Sequence, residues 1–195
     1  MADCPFNPNP LHAASMIGRQ ATREYNMPLL QQFERPHFFT GQLLTADDLA
    51  QEQDYYRGKF RLHNRFLHGW GIVSGLSVSV DGGTTAVVSP GLAIDCAGNE
   101  LVLDSREQLL LAGLKGRHYV TIRCQETLAG QLPSQQGESE YSRVREAVRI
   151  ELTGTSPVSG HRGIGPGTPG YGYEHALCLA TLRQYGTRWR IASAR

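Results

Sequence analysis

Cysteine and histidine are the side chains in this sequence best suited to metal or nucleophilic chemistry, and their spacing argues against both. Cys4, Cys96, Cys124 and Cys178 are widely separated and include no C-x-x-C pair, so neither a zinc ribbon nor a dithiol redox motif is written. Cys124 and Cys178 sit in apolar strand-like runs, where a thiol behaves as a small buried hydrophobe, and all four are read as reduced. The metal-ligand candidates are His37, His63, His68, Asp47 and Asp48. His63 and His68 are five apart, about 140° around an α-helix, so they lack the shared face of i, i+4 histidines. A core or capping role is expected for them, with no metal bound.

Catalysis by acid, base or nucleophile finds no better footing. Asp47, Asp48, Glu52 and Asp54 make an acidic helix start that dipole compensation explains without a reaction. Ser74, in Gly71-Ile72-Val73-Ser74-Gly75, lies at the entrance to a strand rather than between a strand and a helix, as a nucleophile elbow requires. Gly163-Ile164-Gly165-Pro166-Gly167 is glycine-rich, yet Pro166 and the absence of a following helix make it a loop and not a phosphate cradle. The expectation is a non-enzyme with no catalytic residue and no cofactor.

The charged cluster with more to say is Arg57, Arg61 and Arg65, spaced i, i+4, i+8 as a cationic ridge. Such a ridge is a solvated face, a docking surface for acidic protein side chains, or a nucleic-acid contact. Beside it Tyr55, Leu62 and Phe66 form an apolar set, and interfaces favour aromatics and arginine together, which raises protein docking above nucleic acid. A net charge of +1 also speaks against a general nucleic-acid role. Partner contacts are therefore expected at Phe38, Phe39, Tyr55, Arg57, Arg61, Leu62, Arg65 and Phe66.

These residues need a helix to position them. Thr45 can N-cap it, with Asp47 and Asp48 at the positive end of the dipole, and Gly69 can end it, giving roughly 22 residues and about 33 Å. Leu49, Tyr56, Phe60, His63 and Leu67 share one narrow face, expected to cover the core, while Tyr55, Leu62 and Phe66 lie about 120° away. A small monomer has difficulty burying both faces. Gly58, mid-helix, costs about 1 kcal/mol relative to alanine unless something approaches the backbone closely.

Upstream, prolines at 5, 8, 10, 28 and 36 exclude a long helix or central strand, so residues 1–40 read as an extended arm. Residues 41–70 hold the helix and its cap. Residues 71–195 read as a β-rich domain, because the apolar period changes to two at Leu76, Val78 and Val80 and short strands follow between turns such as Asp81-Gly82-Gly83 and Ala97-Gly98-Asn99. Long loops are expected at 128–141 and 153–173. The fold class expected is α+β: an arm, then one long amphipathic helix packed on a mainly antiparallel β-sandwich or partly open barrel. With 195 residues, 40% hydrophobic and 19% charged, the chain can bury a core. No apolar segment reaches the ~20 residues needed to span a bilayer, and no signal peptide opens the sequence, so cytoplasmic folding without membrane insertion is expected.

The run from Arg35 to Leu76, RPHFFTGQLLTADDLAQEQDYYRGKFRLHNRFLHGWGIVSGL, resembles small proteins encoded in bacterial gene clusters for phage-tail-like contractile injection systems. SPGLAIDCAGNELVL, HYVTIRCQE, SRVREAVRIEL and HALCLATLRQYGTRWRI extend the resemblance over most of the chain beyond the arm. The chain departs from the family pattern at Ser74, where a small residue such as cysteine is expected, and in its Gly/Pro loop. The resemblance implies a baseplate-associated or fibre-like structural component, present in several copies. Its expected partners are other subunits of the particle and copies of itself, and a closed form such as a trimer would cover the surplus apolar surface of the helix. It supplies no catalytic residue. The alternative is a glycan or cell-surface ligand-binding module built on Trp70, Tyr171 and Tyr173.

Overall fold

The computed structural model describes residues 33–133, 137, 139–157 and 176–194. The sequence expectations for the arm before residue 33 and for most of the 153–173 loop fall outside these residues. An 18-residue helix, α1 (Ala46–His63), runs directly into a five-residue π-helical turn, Asn64–His68, and the strands follow. Thr45 closes a capping box: its hydroxyl accepts from the Asp48 N–H at 3.3 Å, and the Asp48 carboxylate accepts from the Thr45 N–H at 2.8 Å. The Thr45 hydroxyl and amide together hold the Asp48 carboxyl below its usual range. Gly69, at φ 74°, ends the run in a conformation that glycine tolerates without steric cost.

Among the described residues, ten strands form three antiparallel sheets. β1 (Gly71–Gly75), β4 (Gly91–Ile94) and β5 (Glu100–Leu103) make the first, in the order β1-β4-β5. β2 (Val78–Asp81), β3 (Thr85–Val88) and β6 (Glu107–Leu110) make the second, in the order β2-β3-β6. β7 (Arg117–Pro133), β8 (Ser139–Thr153), β9 (Leu177–Tyr185) and β10 (Arg188–Ala194) make the third, in the order β10-β9-β7-β8. The period-two pattern is what builds them: Leu101 and Leu103 turn inward while Val102 faces out. Leu76, Val88, Leu101, Leu111, Val120, Ile122, Leu177, Leu179, Leu182 and Trp189 meet in one core drawn from all three sheets. β9 is buried over six consecutive residues, as the continuous apolar run from Leu177 to Leu182 requires of a central strand. The described residues are thus α+β, with one helical run among them on an antiparallel β domain.

Two expectations are corrected. Residues 128–133 and 139–141 are not loop but the outer part of a two-stranded ribbon, since β7 and β8 stay paired out to Pro133 and Ser139. Both faces of that stretch meet water, so the hydrophobic alternation that marks a strand is lost there. The second correction concerns the helix. Leu49, Tyr56, Phe60, His63 and Leu67 do not cover the core, and α1 buries no residue at all. A polar side about 100° around the helix is seated instead, because the β4–β5 turn offers it hydrogen-bonding groups at close range.

That seat is built from Asp95 to Asn99. Asp95, fully buried, accepts from the N–H groups of Ala97 and Asn99 at 2.9 Å and from the Asn99 side-chain amide at 2.8 Å. Asn99 then turns its Oδ1 outward to accept from Arg61 Nε at 2.7 Å. Asn64, buried, donates to the Gly98 carbonyl at 3.0 Å and to Glu100 at 3.3 Å. Gly98 is what lets the helix come so close: a Cβ there would stand 2.3 Å from the Arg61 carbonyl oxygen, and its φ is +90°. Gly98→Ala is therefore expected to lift the helix off the turn, with a loss of about 1–2 kcal/mol from backbone strain and lost anchoring. The check is a urea midpoint that falls at unchanged slope.

Candidate docking surface

With its polar side seated, the helix presents its best apolar face to solvent. Leu49 is 53% exposed, Tyr56 52%, Phe60 64% and Leu67 66%. Leu49, Gln53, Tyr56, Phe60 and His63 follow one another at intervals of four, three, four and three, the spacing of a coiled-coil seam. Phe38, Phe39, Leu43 and Leu44, on the segment leading into the helix, are exposed too. Large exposed apolar side chains grouped in this way mark an interaction site more often than chance surface.

The residues expected to meet a partner are distributed differently from the expectation. Phe38 and Phe39 are exposed, and so is half of Phe66, with the Arg65 guanidinium 5.5 Å above its ring. Tyr55 is half-buried by Phe33, whose ring meets it edge-on at 6.2 Å, and Leu62 is half-buried as well. Phe33 also explains Gly58: a Cβ at that position would lie 2.6 Å from the Phe33 ring, so the last residues of the arm pass over the helix where only glycine fits. Arg57 and Arg61 do not stand free. Arg57 pairs with Glu126 on β7 and Arg61 with Asn99, so two members of the ridge hold the helix to its own domain.

Sequence reasoning thus missed Asn64, Asp95, Gly98 and Asn99, which decide which face remains open. The readable signal was the Asp95-Cys96-Ala97-Gly98-Asn99 turn itself, taken only as punctuation between strands.

A second exposed apolar region lies on the β7–β8 ribbon. Leu128 and Val144 are cross-strand partners and both exposed, on the face that carries Cys124 and Val148 further in. A bare two-stranded ribbon is marginal in water, so its outer part lacks the support that the core gives the inner part.

The reactive groups in this region are turned away from chemistry. Burial, and then the neighbouring Asp95 charge, push the Cys96 thiol up to about 12, and burial raises Cys124 in the same direction. A nucleophilic cysteine needs the opposite shift. Among the described residues no group of three or more His, Cys, Asp or Glu side chains is placed to hold a metal ion. No helix among them is long and apolar enough to cross a membrane.

No family model matches this chain, and no curated protein matches it. Three solved structures are similar to it at low identity. A crystal structure of TssK is 13% identical with a TM-score of 0.46, over 82% of this chain and 41% of that one. The baseplate complex from the type VI secretion system is 10% identical at 0.45, over 83% and 58%. The TssK-TssF-TssG baseplate subcomplex of that system is 9% identical at 0.49, over 85% and 61%. The chain spans less than two thirds of the length of each.

Proposed function

We propose that this chain is a structural subunit of a contractile, phage-tail-like injection particle, associated with its baseplate and acting through protein–protein contacts. The single observation that carries the reading is the open helix stripe of Leu49, Tyr56, Phe60 and Leu67, which only another protein surface would cover at this width. The kind of particle comes from the resemblance of residues 35–76 to subunits encoded with such systems. Copies of the chain itself are the first occupants of the stripe, since a seam with heptad spacing and polar Gln53 and His63 at two of its positions specifies both register and copy number. A closed form such as a trimer covers the stripe of every copy at once. The ribbon tip at Leu128 and Val144, with Phe38 and Phe39, is left for the other subunits of the particle. Assembly takes place in the cytoplasm, whether the particle is then retained or released.

The ligand-binding alternative is not favoured by any feature of the described residues. Trp70 is half-buried and packed against the core, which withdraws its ring from use as a stacking platform, and Tyr171 and Tyr173 lie outside the described residues.

The test is sedimentation of particles from cells carrying the complete gene cluster, with this chain tagged at its C-terminus. The tag is expected in the pellet with sheath and tube. Intact particles in the pellet with all of the tagged chain left in the supernatant would overturn the reading.

A further inference from the structure

The sequence spacing of His63 and His68 excludes a shared face only if the helix stays α. It does not: His63 is the N-cap of the π turn and His68 is its last residue. Bonding from i to i+5 widens the turn, so residues five apart come much nearer to one face than they do in an α-helix. The two rings are 4.9 Å apart between centroids and inclined at 60°, and their Nε2 atoms lie 3.1 Å from each other. Both side chains are exposed to solvent.

A metal ion bound by two imidazoles at about 2.0–2.1 Å each, with an angle of about 90–110° between the bonds, sets the two nitrogens about 2.8–3.4 Å apart. The separation here falls within that span. Imidazole nitrogens suit copper, nickel and zinc among the available divalent ions. The pair also sits in the last turn of the helical run, where the carbonyl end of the dipole favours positive charge.

We propose that His63 and His68 form a bidentate site for a late first-row divalent cation, with water completing the coordination shell. The site shares His63 with the seam, and its geometry comes from the π turn within one chain. No third protein ligand among the described residues reaches it, so binding is weaker than at a three-histidine centre and follows the order of intrinsic affinity, copper above nickel and zinc.

A hydrogen bond between the two rings gives the same distance with no metal, and the experiment separates the two. Calorimetric titration of the full chain with copper(II), nickel(II) or zinc(II) chloride is compared with that of His63→Gln, His68→Gln and, as a control, His37→Gln. Glutamine keeps a hydrogen-bonding group at the site but is a poor ligand for these ions. The expected result is one strong site per chain, weakened more than about tenfold by either site variant and unchanged in the control. Equal titration curves for all four chains, or no strong site in any, overturn the proposal. Either site variant that keeps the helical circular dichroism of the parent suffices to decide.

Discussion

Phe60→Asp is expected to turn a self-associating chain into a monomer while leaving its fold untouched. Phe60 stands in the middle of the open stripe with 64% of its surface exposed, so folding stability should change by no more than about 0.5 kcal/mol. At the seam the same change is severe, because each Phe60 is then a buried aromatic replaced by an unpaired carboxylate. Central aromatic residues of interfaces cost about 2–4 kcal/mol when truncated, a factor of roughly 30 to 1,000 in the association constant. Light scattering across a concentration series reads the shift, and thermal unfolding confirms that the fold survives. Asp54→Asn, on the same helix but off the seam, serves as the neutral comparison. A parent chain that remains monomeric at the highest attainable concentration would remove self-association from the reading and leave the stripe to a different subunit.

The fold was legible where the local signal and the tertiary outcome coincide. Thr45 and Asp48 mark the helix start, Gly69 its end, and the turns at Asp81-Gly82-Gly83 and Ala97-Gly98-Asn99 separate strands that form where the alternation places them. The orientation of the helix was not legible. Periodicity identifies an apolar stripe but not what the stripe meets, and here three polar anchors, Arg57, Arg61 and Asn64, outweigh it. Each anchor depends on a partner more than thirty residues away, which no window along the chain can relate to the helix. The π turn has the same character, since its single extra residue per turn leaves no mark in composition and yet changes the phase of everything after His63. The ribbon from Leu128 to Tyr141 escaped for a different reason: strands that are wet on both faces carry no alternation to read.

Asp95→Ala is the substitution expected to cost the fold most, because it unseats the helix. Removing the carboxylate leaves the N–H groups of Ala97 and Asn99 without their acceptor and frees the Asn99 amide, which now holds Arg61 only because Asp95 fixes its other end. Stranded buried donors cost about 1–3 kcal/mol each, offset in part by no longer burying a carboxylate, so a net loss of about 2–4 kcal/mol is expected. The helix should detach before the sheets unfold, visible as helical signal lost at lower urea than the tryptophan signal of Trp70 and Trp189. Asp95→Asn tests the charge separately. Burial raises the Asp95 carboxyl above its ordinary 3.8, against the pull of its hydrogen bonds to Asn99, Ala97 and Gly98. The folded state then holds its proton to higher pH than the unfolded state does. The stability tied to that proton is fully present below 3.8 and is lost as pH rises through the raised folded value. The parent's stability relative to Asp95→Asn should therefore fall with rising pH across that window and level off above it. A difference that instead grows with pH would mean that the hydrogen bonds to the ionised form outweigh its burial, and that Asp95 holds the helix seat as a stable anion.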